Sequence, residues 1–160
     1  MRDLGNGREL AGEGATRALN PASNEKLVTA AVALSELGPD YRYHVGILGK
    51  IEAGVAPRLV IRGNGDPTFS YEELRGFADK LVALGLKQVS GDVLVDQSAF
   101  DDRYTPPAFE QQPGEWAAFR APVSAVSLDR NSTALHVFPT QPGQLARVEF
   151  EPPGYVSVQG

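Results

Sequence analysis

The chain has no cysteine, one methionine, one tryptophan and two histidines in 160 residues. Without cysteine there is no disulfide framework, no thiolate nucleophile and no zinc site built on Cys ligands. His44 and His136 are too few and too far apart for a metal site, and each reads as a packing or surface residue. No metal or other cofactor is expected. No apolar run approaches the roughly 18 residues that suggest a bilayer crossing, so no membrane span is expected in this chain. Basic residues are the minority, 15 against 20 acidic ones, and the signs are interspersed around a net charge of −5. The clustered positive stripe that a phosphate backbone requires is therefore missing, which argues against nucleic acid as a partner. The start, Met1-Arg2-Asp3-Leu4, shows neither the charged nor the apolar region of a secretion signal. That leaves a cytosolic protein or a trimmed chain.

What is present is the composition of a globular protein, 42% hydrophobic and 22% charged, long enough for one domain or a small domain plus part of another. Gly5-Asn6-Gly7 predicts a hairpin turn returning through Arg8-Glu9-Leu10. From Ser23, the positions Leu27, Ala30, Ala31, Leu34 and Leu37 follow the spacing of a buried helical stripe, and Gly38-Pro39 supplies the stop. Two strands, 41–51 and 58–61, flank a hairpin connection. A dense turn, Gly63 to Thr68, precedes the capping box Ser70-x-x-Glu73 and a second helix carrying Leu74, Phe77, Ala78, Leu81 and Leu84. Strands are expected at 89–96, 134–138, 145–150 and 155–159. A long loop over 97–120 holds Tyr104, Phe109, Trp116 and Phe119. Helix, strands, helix and many strands in that order argue for an α+β fold and against a doubly wound sheet.

The stretch Pro21-Ala22-Ser23-Asn24-Glu25-Lys26-Leu27 holds the clearest candidate chemistry. Residues three apart share a helical face, so Lys26 can lie beside the Ser23 hydroxyl and take its proton. At a helix start the free N–H groups can stabilise an oxyanion, while the positive dipole end and burial disfavour a charged lysine. The plainer reading is that Ser23 caps the helix and Lys26 is solvated. Gly63-Asn64-Gly65-Asp66 lacks the rest of a phosphate-loop pattern. Asp66, Asp96, Asp101 and Asp102 fit no calcium loop and read as solvated turn positions.

Taken as an ordered set, several segments carry a resemblance. They are Asn20 to Leu27, Leu37 to Tyr43, Gly63-Asn64-Gly65-Asp66-Pro67-Thr68, Val95-Asp96-Gln97-Ser98-Ala99-Phe100, Ala121 to Val126, and Asp129-Arg130-Asn131. The set resembles the class C low-molecular-mass penicillin-binding proteins, the D-alanyl-D-alanine carboxypeptidases and endopeptidases of the penicillin-binding-protein-4 type. The resemblance implies that Ser23 attacks the D-Ala-D-Ala carbonyl of a peptidoglycan stem peptide, forms an acyl-enzyme and is acylated by β-lactams, with Lys26 as base. It implies an extracytoplasmic location, in the periplasm or cell envelope. It divides the chain into a partial β-lactamase/transpeptidase-like segment at 1–45 and an inserted α+β domain at 46–160, whose Asp96 borders the substrate side chain. The family's Ser-x-Asn and Lys-Thr-Gly motifs occur nowhere in these 160 residues. The expectation is therefore an N-terminal fragment, inactive by itself, that exposes the apolar face of its first helix. The alternative is a non-catalytic module that docks on cell-wall polymer or a protein partner.

Overall fold

Both helical periodicities become helices, and they end up in different parts of the chain. The computed structural model describes residues 1–106, 109, 113–115, 117–154 and 156, and its contacts divide it into Met1–Arg42 and Tyr43–Gly160. In the first unit the expected hairpin shrinks to a single antiparallel bridge, Arg2 with Glu9. Asp3 dominates the turn, accepting Gly5 N–H at 2.8 Å on its carboxylate while its own N–H reaches Arg8 O at 2.9 Å. A short polar side chain bonded to the local backbone competes with ladder formation.

Helix α1 spans Glu25–Leu37. It stops at Gly38, whose φ of 80° admits no ordinary side chain without strain and whose N–H returns to Leu34 O at 3.1 Å. Its stripe has the spacing of a buried face but is uncovered, which is the exposure the resemblance leads one to expect. Leu27 is 73% exposed and Leu34 61%, and no residue of α1 is buried. The other elements described in the first unit are turns, one bridge and the single 3-10 turn that leads into α1, which provide no layer to cover it.

The second unit contains strands β1 (Val45–Gly49), β2 (Val55–Ala56) and β3 (Leu59–Gly63), helix α2 (Tyr71–Ala83), then β4 (Gln88–Val89), β5 (Val93–Asp96), β6 (Ala134–Phe138) and β7 (Arg147–Glu151). The main sheet has the order β1-β3-β5. The first pair is antiparallel, as a hairpin dictates, and the second is parallel, joined through α2. β2 and β4 pair in parallel, and β6 and β7 form an antiparallel hairpin. The architecture is α+β.

The capping box forms as its sequence predicts: Glu73 N–H donates to Ser70 Oγ at 3.2 Å, and Ser70 N–H donates to the Glu73 carboxylate at 2.9 Å. Leu74, Phe77 and Leu81 are half-buried, whereas Ala78 and Leu84 are exposed. The buried apolar residues are Ala56 of β2, Leu59 of β3, Phe69 and Ala125, all at or below 5% exposure. The Phe69 and Phe77 rings lie 5.9 Å apart.

The single strand expected at 89–96 is broken in two. Ser90 N–H bonds to Ala56 O at 2.9 Å, which continues the β2–β4 ladder, and the chain then turns at Gly91 to enter the main sheet as β5. A Cβ on Gly91 would lie 2.4 Å from Pro57 O, so the crossing needs glycine. The strand expected at 41–51 shortens to 45–49, and that at 145–150 shifts to 147–151. Apart from Val156, the strand expected at 155–159 lies outside the described residues, as does Trp116.

Candidate active-site residues and the Asp96 cleft

Ser23 sits in the middle of a one-turn 3-10 helix, Ala22–Asn24, that leads directly into α1. Asn20 shapes the entry, its side-chain oxygen accepting Ala22 N–H at 2.9 Å, and Asn24 N–H closes the turn on Pro21 O at 3.0 Å. Ala22 has φ 46°, in the left-handed region where a residue with a Cβ is strained by about 1–2 kcal/mol. Neither cap position, Pro21 nor Asn24, uses a side chain, and Ser23 Oγ makes no hydrogen bond among the described residues. Capping is therefore not how this hydroxyl is used. Lys26 is the second residue of α1, and its ammonium likewise has no partner among the described residues. The burial expected of this pair is absent, since both side chains face solvent.

Asp96 lies in the second unit, at the end of β5, in register with Arg62 of β3. Arg62 Nε donates to Asp96 Oδ2 at 2.6 Å and Ser98 N–H donates to Oδ1 at 2.9 Å. The Ser98 hydroxyl and backbone, followed by the Arg62 guanidinium, hold the carboxyl below the usual range, down to about 2. Its side chain is only 17% exposed, so its charge is directed at partners within the chain. The first two candidates thus share one unit and Asp96 belongs to the other.

Sequence reasoning passed over two neighbours of Asp96. Arg62 is the one charge in the apolar run Leu59-Val60-Ile61-Arg62-Gly63, and that contrast was a readable signal. Gln97 had none. Its side-chain oxygen accepts Ala125 N–H at 2.8 Å and Val126 N–H at 3.3 Å, which fastens a distant loop to the end of β5.

That loop holds a polar knot. Asn131 Nδ2 donates to Pro122 O, Ser124 Oγ and Ser127 Oγ at 2.8, 2.9 and 3.1 Å. Asp129, Arg130 and Asn131 all have positive φ, an uncommon run for residues with side chains. The Asp129 carboxylate reaches back to Tyr71 N–H at 3.2 Å, at the first turn of α2. Asp66 and Asp101 close local turns onto Thr68 and Arg103, the role expected of them. No group of three or more His, Asp or Glu poised for a metal occurs among the described residues. Nor is any described helix long and apolar enough to cross a membrane.

The fold has counterparts among solved structures. The chain aligns with the crystal structure of penicillin binding protein 4 (dacB) from Haemophilus influenzae at a TM-score of 0.73 and 24% identity, over 92% of this chain and 33% of that one. The same protein complexed with a novel β-lactam aligns at 0.63 and 21%, over 92% and 30%. These likenesses establish the architecture.

The family is set by sequence. The model of the D-Ala-D-Ala carboxypeptidase 3 (S13) family matches residues 1–159, and the chain belongs to that family. The D-alanyl-D-alanine carboxypeptidase of Actinomadura sp. (strain R39) is 33% identical over 162 aligned positions, covering 92% of this chain and 29% of the relative. The D-alanyl-D-alanine carboxypeptidase DacB of Haemophilus influenzae is 32% identical over 82, covering 49% of this chain and 17% of the relative. The chain thus spans less than a third of the length of these relatives.

Proposed function

We propose that the protein carrying this segment is a serine-type D-Ala-D-Ala carboxypeptidase or endopeptidase that acts on peptidoglycan stem peptides outside the cytoplasm and is acylated by β-lactams. The observation that carries this reading is the Ser23-x-x-Lys26 pair at the head of α1, its serine hydroxyl left out of helix capping, within an S13 family chain.

In this mechanism Ser23 Oγ attacks the carbonyl carbon of the D-Ala-D-Ala bond while Lys26 acts as the base that takes the hydroxyl proton. The tetrahedral intermediate collapses as its C–N bond breaks and the leaving amine receives a proton. Water then hydrolyses the Ser23 ester and regenerates the hydroxyl. A β-lactam follows the first half of this path by opening its ring amide. Residues 1–45 belong to the transpeptidase-like part and 46–160 to an inserted domain whose Asp96 borders the substrate. Ser-x-Asn and Lys-Thr-Gly do not occur in these residues, and catalytic groups that act as a unit lose most of their effect when any are missing. The 160 residues alone are thus expected to turn over little.

Fluorescent penicillin is the test. Labelling of the full reading frame that vanishes in Ser23→Ala supports the assignment, and labelling that survives the substitution refutes it. Strong Ser23-dependent labelling of the 160-residue chain by itself refutes the expected inactivity.

A further inference from the structure

Arg62 is flanked unequally on its sheet. In register it faces Asp96 of β5 on one side and Gly46 of β1 on the other. Directly opposed residues on neighbouring strands share a face, so the guanidinium lies between a carboxylate and a position with no side chain. Asp96 takes Nε at 2.6 Å. Among the described residues nothing takes either terminal nitrogen, and the Arg62 side chain is 62% exposed. On the Gly46 side an added Cβ would meet nothing within 4 Å. A cleft of about 540 Å³ opens there, with His44, Leu48, Arg62, Asn64 and Ser98 among its lining residues.

We infer that this cleft binds an aliphatic carboxylate, held by the paired terminal N–H groups of Arg62. A guanidinium whose Nε is engaged still presents Nη1 and Nη2, and planar forks of this kind match a carboxylate with two parallel hydrogen bonds. Asp96, itself fixed by Ser98, holds the guanidinium in place, so less rotamer freedom is lost when the ligand arrives. Leu48, on the same sheet face as Arg62 and Gly46, gives the cleft an apolar wall suited to a hydrocarbon chain. His44 N–H donates to Asn64 Oδ1 at 2.8 Å, which ties the loop after β3 to the rim. The charge of Asp96 opposes a second negative charge, so a monocarboxylate is preferred over a dianion such as phosphate. The inference uses neither Ser23 nor Lys26 and stands or falls separately from the acylation reading.

The test is an NMR titration of the ¹⁵N-labelled 160-residue chain with N-acetylglycine, with N-acetylglycinamide and inorganic phosphate as separate arms. The acid is expected to shift the Arg62 Nε–H signal and the Asn64 and Ser98 amides saturably, at least tenfold more tightly than either comparison compound. Arg62→Gln should abolish the response. Gly46→Val fills the cleft without touching the Arg62–Asp96 pair and should weaken binding at least tenfold, with spectra elsewhere unchanged. An equal response to the amide or to phosphate, or full binding by Gly46→Val, overturns the inference.

Discussion

Replacing Asn131 tests the polar knot that organises the loop beside Asp96. Its amide has two hydrogens and three acceptors, Pro122 O, Ser124 Oγ and Ser127 Oγ, at 2.8–3.1 Å. Two hydrogens sustain about two full bonds, each contributing about 0.5–1.5 kcal/mol net. The serine hydroxyls keep their own donations, to Val126 O at 2.7 Å and Ser124 O at 3.1 Å, so the substitution does not orphan them completely. Asn131 also has φ 53°, which asparagine tolerates better than alanine, adding a fraction of the roughly 1–2 kcal/mol left-handed penalty. The outer side of the residue is exposed, and water there offsets part of the loss. Asn131→Ala should therefore destabilise the chain by about 1.5–3 kcal/mol in urea unfolding at neutral pH. Asn131→Asp keeps the shape but points a carboxylate at three oxygens, so its loss should equal or exceed that of alanine and ease as the carboxyl protonates in acid. An aspartate variant as stable as wild type at pH 7 would refute the reasoning.

Gly63 packs against the same loop: a Cβ there would lie 2.5 Å from Ala125 O, and its φ is not positive, so Gly63→Ala isolates the steric effect. It should cost about 1–3 kcal/mol in thermal or urea unfolding. Asp96 has a lowered folded-state pKa, about 2, so its contribution is present above the unfolded value and is lost as pH falls from about 4 to about 2. Asp96→Asn should flatten the acid limb of a stability–pH profile in that window, and an unchanged limb would show that the carboxylate is not the group responsible.

The parts of the fold legible in sequence were the ones encoded locally. Ser70 and Glu73 are three residues apart and cap α2 with their own side chains, and Gly38-Pro39 ends α1 where it stands. What escaped depended on partners distant along the chain. The break at Ser90-Gly91-Asp92 comes from the close approach of Pro57, some thirty positions away, which no propensity at 89–96 records. Gln97 reads as an ordinary loop residue until Ala125 and Val126 are beside it. The stripe of α1 illustrates a further limit: periodicity predicts a helix and an apolar face, but not whether that face is covered. At the candidate site, the spacing of Ser23 and Lys26 and the order of the surrounding segments were readable at once. The Arg62–Asp96 pairing needed the sheet register.

We propose Ser23 as the acylated residue, and peptide mapping by mass spectrometry after brief exposure of the full reading frame to a penicillin tests that role. The expected result is the added mass of one ring-opened β-lactam on the peptide containing Ser23, and its loss in Ser23→Ala. An adduct on a different peptide, or one that persists in the alanine variant, would contradict it.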